Sequence, residues 1–119
     1  NTFEGYLRAA IQAYFDFMAD EHEAWHAHRP AGEKHPQMRL QTPEMERVFE
    51  EVRDAFLQAM EHDAAPRVDA DYLAAACIAV ARQVGDKMLE RRPVDTAAAA
   101  DFAVRLIMGG IPALPRLST

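Results

Sequence analysis

Phe3-Glu4-Gly5-Tyr6-Leu7-Arg8-Ala9-Ala10-Ile11-Gln12-Ala13-Tyr14-Phe15-Asp16-Phe17-Met18 decides the class of fold. Phe3, Leu7, Ala10, Tyr14 and Phe17 recur at helical spacing. Tyr6, Ile11, Phe15 and Met18 widen that stripe, so this helix is covered on more than one side. Thr2 offers the hydroxyl of an N-cap. The spacing predicts a first helix over 3–19. The chain stays helical or nearly so through Glu21–His28, with a bend expected near Asp20.

The same periodicity continues downstream. Pro30, Gly32, Pro36 and Pro43 mark 29–43 as a loop. Thr42-Pro43-Glu44 reads as N-cap, proline in the first helical position and an acid in the first turn. A second helix follows over 44–62, with Met45, Val48, Phe49, Val52, Phe56, Ala59 and Met60 as its apolar set and Glu46, Glu50, Glu51, Arg53, Asp54 and Gln58 on a solvated face. Asp69 caps a third helix over 70–91 whose core set is Leu73, Cys77, Val80, Val84 and Met88, and Pro93 stops it. Asp95 caps a fourth over 96–111, ended by Gly109-Gly110 and Pro112. No segment alternates with period two, so the fold class is all-α, an antiparallel bundle of about five helices.

Composition narrows the function. The chain has 119 residues, half of them hydrophobic, which is one domain able to form its own core. Its net charge of −6 leaves no basic patch to displace counterions from a duplex, so this segment should not bind nucleic acid directly. No stretch reaches the roughly 20 apolar residues a membrane span needs. Glu4, Arg8 and Asp16 interrupt any signal-like apolar run. One cysteine, Cys77, excludes an internal disulfide and fits a reducing, cytoplasmic setting. Arginine outnumbers lysine eleven to two, and alanine is abundant, as in products of GC-rich bacterial genomes. With Asn at position 1 in place of Met, the chain is expected to be part of something longer.

The fourth helix points to a partner. Ala97 to Ala100 are all alanine, and from Phe102 to Ile111 only Arg105 is charged. Either this helix lies at the centre of a monomer, or its second face meets another chain. An isologous two-fold dimer through the last two helices is the economical arrangement. It would use Val80, Val84, Met88, Phe102, Leu106, Gly109 and Gly110.

His22-Glu23-Ala24-Trp25-His26 has the pattern H-E-x-x-H. On a helix it puts two imidazoles on one face, able to share zinc, with Glu23 as a general base. A metallopeptidase or zinc-binding bundle using His22 and His26 is therefore the competing class. It lacks a third ligand at recognisable spacing, and no strand edge is at hand for a peptide. Catalytic residues, a resident metal and a cofactor are not assigned.

Leu7-Arg8-Ala9-Ala10-Ile11-Gln12-Ala13-Tyr14-Phe15-Asp16-Phe17, then Glu23-Ala24-Trp25, resemble the opening of the C-terminal domain of TetR-type transcriptional regulators. Pro93-Val94-Asp95 through Ala100-Asp101-Phe102, then Arg105-Leu106-Ile107-Met108-Gly109-Gly110-Ile111, resemble the last helix of many members. The resemblance implies one ligand-binding and dimerisation domain over 1–119. It also implies a homodimer built by the last two helices, and DNA contact only through an upstream helix-turn-helix domain that this chain lacks. The first three helices would surround a small, largely apolar effector. Tyr14, Phe17, Met18, Trp25, Phe49, Val52, Phe56 and Cys77 are its expected contacts. A dimerisation module with no ligand is the plainer alternative.

Overall fold

A computed structural model describes residues 2–28 and 43–117, with the side chains of 25–28 and of 44 and 45 excepted. It contains four α-helices: α1 (Phe3–His28), α2 (Pro43–Glu61), α3 (Ala70–Leu89) and α4 (Thr96–Gly110). A single 3-10 turn, Ile111–Ala113, follows α4. Among the described residues there is no strand, so the all-α expectation holds. The count of about five helices does not. Helix α1 runs unbroken through Asp20, and the short second helix expected at Glu21–His28 is its last two turns. The reason is local: from Tyr6 to His28 there is neither glycine nor proline to interrupt the hydrogen-bond ladder.

The helix starts follow the capping chemistry. Thr2 Oγ1 accepts from the Gly5 amide at 3.0 Å. Asp69 accepts from the Tyr72 amide, and Asp95 from the Ala98 amide, each at 3.0 Å. Helix α2 ends on Asp63, whose φ of 57° puts it in the left-handed region. There the Ala64 amide donates to the Ala59 carbonyl at 2.7 Å and the Asp63 amide to Met60 at 3.2 Å, the paired bonds of a Schellman ending.

Side-chain contacts give the topology. Arg8 meets Asp101 at 3.0 Å and Gln12 meets Thr96 at 3.1 Å, so α1 and α4 run antiparallel. Phe3 stacks on Phe56 with ring centroids 4.4 Å apart, which joins the start of α1 to the end of α2. Short connections make α2 antiparallel to α3 and α3 antiparallel to α4. The tail returns to the bundle where the Leu117 amide donates to the Arg67 carbonyl at 2.9 Å.

Phe15, Phe56 and Val104 are fully buried and form the centre of the core with Ala74 and Ala103. Helix α3 approaches α1 closely at Gly85. A β-carbon there would stand 2.6 Å from Met18 Sδ and 3.2 Å from Phe15 Cε1. Of the two phenylalanines in the opening stretch, Phe15 is 0% exposed and Phe17 is 54% exposed. They lie roughly 200° apart around the helix, so only one can face the core. Phe15→Ala should cost about 3–5 kcal/mol of unfolding free energy, and Phe17→Ala within about 0.5 kcal/mol. Urea denaturation of the two variants tests this. Gly85→Val should also destabilise, by roughly 1–3 kcal/mol, through overpacking against Met18 and Phe15.

Candidate functional site

Between α1, α2 and α3 lies an apolar cleft of about 250 Å³. Helix α1 contributes Tyr6, Leu7, Ala10, Ile11 and Tyr14. Val48 and Val52 come from α2, and Cys77, Ile78 and Ala81 from α3. The volume sits just below the usual range of small-molecule pockets, roughly 300–1,000 Å³. Of its lining residues, Leu7, Ile11, Cys77 and Ala81 are buried, while Tyr6, Ala10 and Val48 are exposed at its rim.

Two tight contacts bound the cleft along the helices. At one end Phe3 packs on Phe56. At the other, Phe15 and Met18 close on Gly85. Every α1 residue of the lining falls between these two points in sequence.

The polar groups at the cleft are few. Burial raises the Tyr6 pKa, and the Glu51 carboxylate adds to it. Burial also raises the Tyr14 pKa; the Arg82 charge opposes that rise and Asp86 reinforces it. Arg82 follows Ala81 on α3 and stands one turn beyond Ile78. Its side chain is half-buried, but Nη1 is closed off from solvent and has no hydrogen-bond partner. A buried donor left in that state costs about 1–3 kcal/mol, more when charged.

The expected ligand contacts divide into groups. Tyr14, Val52 and Cys77 line the cleft. Met18 and Phe56 are buried in the core beside it. Phe49 is half-buried beneath the Arg53 guanidinium, 5.8 Å from its ring centroid. Phe17 faces outward, and the Trp25 side chain lies outside the described residues. The other lining residues, Tyr6, Leu7, Ala10, Ile11, Val48, Ile78 and Ala81, are not among the expected contacts. Which helices share a lining is set by helix register, which periodicity alone does not give.

A second, larger depression of about 540 Å³ runs along the outer junction of α3 and α4. Val84, Met88 and Phe102 line it with Gln83, Lys87, Arg91, Pro93, Asp95, Ala98 and Ala99. Of the residues expected at a dimer interface, Phe102 is 62% and Leu106 53% exposed on one face of α4. Gly109 and Gly110 continue that face, with nothing within 4 Å of a built β-carbon. Val80 and Val84 are half-buried on α3. Met88 is buried within the chain and contributes to the core.

Around H-E-x-x-H, the Arg92 guanidinium stands 3.4 Å from His22 Nε2. The His26 side chain lies outside the described residues. Among the described residues, no group of three His, Cys, Asp or Glu is placed to hold a metal ion. No described helix is long and apolar enough to cross a membrane. Compared with protein-family models, curated proteins and solved structures, the chain matches none.

Cys77 is buried against the cleft, and burial pushes its thiol pKa up to about 12. At about pH 8 it is protonated and a poor nucleophile. The thiol should react with a charged aromatic disulfide reagent only on the timescale of unfolding, and at once in guanidinium. Rapid labelling of the native protein would show that the sulfur is open to solvent.

Proposed function

We propose that this chain is the effector-sensing and dimerisation part of a TetR-type transcriptional regulator, and not an enzyme. The observation that carries this reading is the apolar cleft enclosed by α1, α2 and α3. These are the helices that the sequence resemblance assigns to an effector. The net charge of −6 agrees with a division of labour in which DNA is bound by a separate upstream helix-turn-helix domain.

Dimerisation through α3 and α4 is the second part of the proposal. A helix that exposes Phe102 and Leu106 beside two glycines leaves apolar area in water. Two-fold pairing would cover it, with the glycines allowing the backbones to approach. Arg105 is held at the edge of this face by Asp101, at 2.8 Å, and so leaves its centre apolar.

The working mechanism is linkage. A ligand that prefers one arrangement of α1, α2 and α3 shifts the dimer towards it, by no more than its differential affinity for the two arrangements. The shift would alter the spacing of the two DNA-binding heads.

Two measurements test the parts separately. The chain should sediment as a dimer, twice its 13.4 kDa, and Phe102→Glu with Leu106→Glu should leave a helical monomer. A neutral apolar compound such as octanol should raise the melting temperature. At a hundredfold its Kd it would contribute about 2.7 kcal/mol. Val52→Trp, which fills the cleft, should abolish that rise. A monomeric wild-type chain would overturn the dimer, and a melting temperature indifferent to octanol would overturn the cleft as a ligand site.

A further inference from the structure

We infer that the depression between α3 and α4 is a second ligand site, which takes a flat, largely apolar molecule carrying one carboxylate and holds it through Lys87 and Arg91. The inference is independent of the three-helix cleft, since no residue lines both spaces. At about 540 Å³ the depression falls inside the usual range of small-molecule pockets, roughly 300–1,000 Å³. Its lining has the matching character, an apolar bed with a few polar groups beside it.

The bed comes from both helices. Met88 is buried, Val84 and Ala99 are half-buried, and Ala98 and Phe102 are exposed. The exposed Phe102 ring offers a planar apolar group a surface to stack on. Phe102 also belongs to the face proposed for pairing; Leu106, Gly109 and Gly110, the rest of that face on α4, do not line the depression.

The charges in the lining select the head group. Lys87 stands in the last turn of α3, and Arg91 follows it by four residues, just past the helix end. Both line the depression. Asp95 is the one acid in the lining, and its carboxylate accepts from the Ala98 amide at 3.0 Å. Two positive charges therefore stand against one negative in a chain whose net charge is −6, and that local inversion favours an anion. Neither cation is committed elsewhere. Lys87 meets Glu90 at 3.4 Å with both side chains largely exposed, a pair that is weak and readily exchanged. The Arg91 guanidinium makes no hydrogen bond or ion pair with a described residue. A carboxylate matches its planar fork with two parallel hydrogen bonds, and Lys87 adds a point charge.

The test compares naphthoate with its neutral amide, naphthamide, which share the ring system and differ in charge. Binding is followed by calorimetry. The wild-type chain should bind naphthoate about three- to tenfold more tightly at low salt, as expected for one or two exposed ion pairs. The preference should fade in about 0.5 M sodium chloride, which screens exposed charges. Lys87→Met with Arg91→Met should remove the preference and leave naphthamide affinity unchanged. Lys87→Gln with Arg91→Gln carries the same comparison if the methionine pair fails to fold. Ala98→Trp, at an exposed position of the bed, should abolish naphthoate binding. Val52→Trp, which fills the three-helix cleft, should leave it unchanged.

Equal binding of the two compounds, or a naphthoate preference that survives in both paired variants, overturns the role of Lys87 and Arg91. Naphthoate binding that survives Ala98→Trp, or that is lost in Val52→Trp, puts the ligand elsewhere and overturns the site. Binding of neither compound overturns it as well.

Discussion

The close approach of α1 to α3 at Gly85 is the constraint on which the rest of the bundle depends. With no β-carbon at that position, Met18 and Phe15 settle directly against the α3 backbone. Phe15 is thereby fully buried, and the register of α1 against α3 is set one side chain at a time. At its opposite end α1 is held to α2 by Phe3 on Phe56. Between these two contacts α1 follows α4, to which Arg8–Asp101 and Gln12–Thr96 also tie it. The three-helix cleft is the space left between the contacts. A fold of this size retains such a space because the ends, and not the middle, fix the helix positions.

Much of this was legible in the sequence, and the parts that were not share a cause. Asp69, Asp95 and Pro93 mark helix ends by local chemistry, and the structure places those ends within two residues of where the spacing put them. The identity of the buried face in α1 was harder to read. Tyr14, Phe15, Phe17 and Met18 are all apolar, so a stripe that wide carries no phase, and only the neighbouring helices choose Phe15 over Phe17. The expected bend at Asp20 fails for a related reason. A charged pair, Asp20-Glu21, resembles a boundary in sequence, yet exposed acids sit readily on a helix surface.

The candidate site shows the same division. Tyr14, Val52 and Cys77 could be proposed from residue type and periodicity, and they line the cleft. Ala10 and Ala81 line it as well, and an alanine in a helix carries no signal that marks a cleft. Arg82 reads in sequence as an ordinary helix cation. In the structure its Nη1 is closed off from solvent without a hydrogen-bond partner, whereas Arg53 and Arg105 pair with exposed acids. On α4 the order is reversed. A helix with one charge between Phe102 and Ile111 is apolar nearly all round; the structure buries the face bearing Ala103, Val104 and Ile107 and leaves Phe102 and Leu106 exposed.

Helix α3 is what would join sensing to assembly. Its Cys77, Ile78 and Ala81 border the cleft, while Val84 and Met88, further along the same helix, line the depression shared with α4. A rigid helix with one face on a ligand and the other near a partner cannot move for one without moving for the other. The core offers little slack to absorb such a movement, because Ala74 is fully buried and Gly85 is already in contact with Met18. The coupling is then reciprocal: whatever factor the ligand applies to dimer affinity, dimerisation applies to ligand affinity. On the proposed reading, a monomeric form should therefore bind its ligand with an affinity different from that of the dimer. If the two affinities were equal, α3 would be a shared wall and not a transmission element.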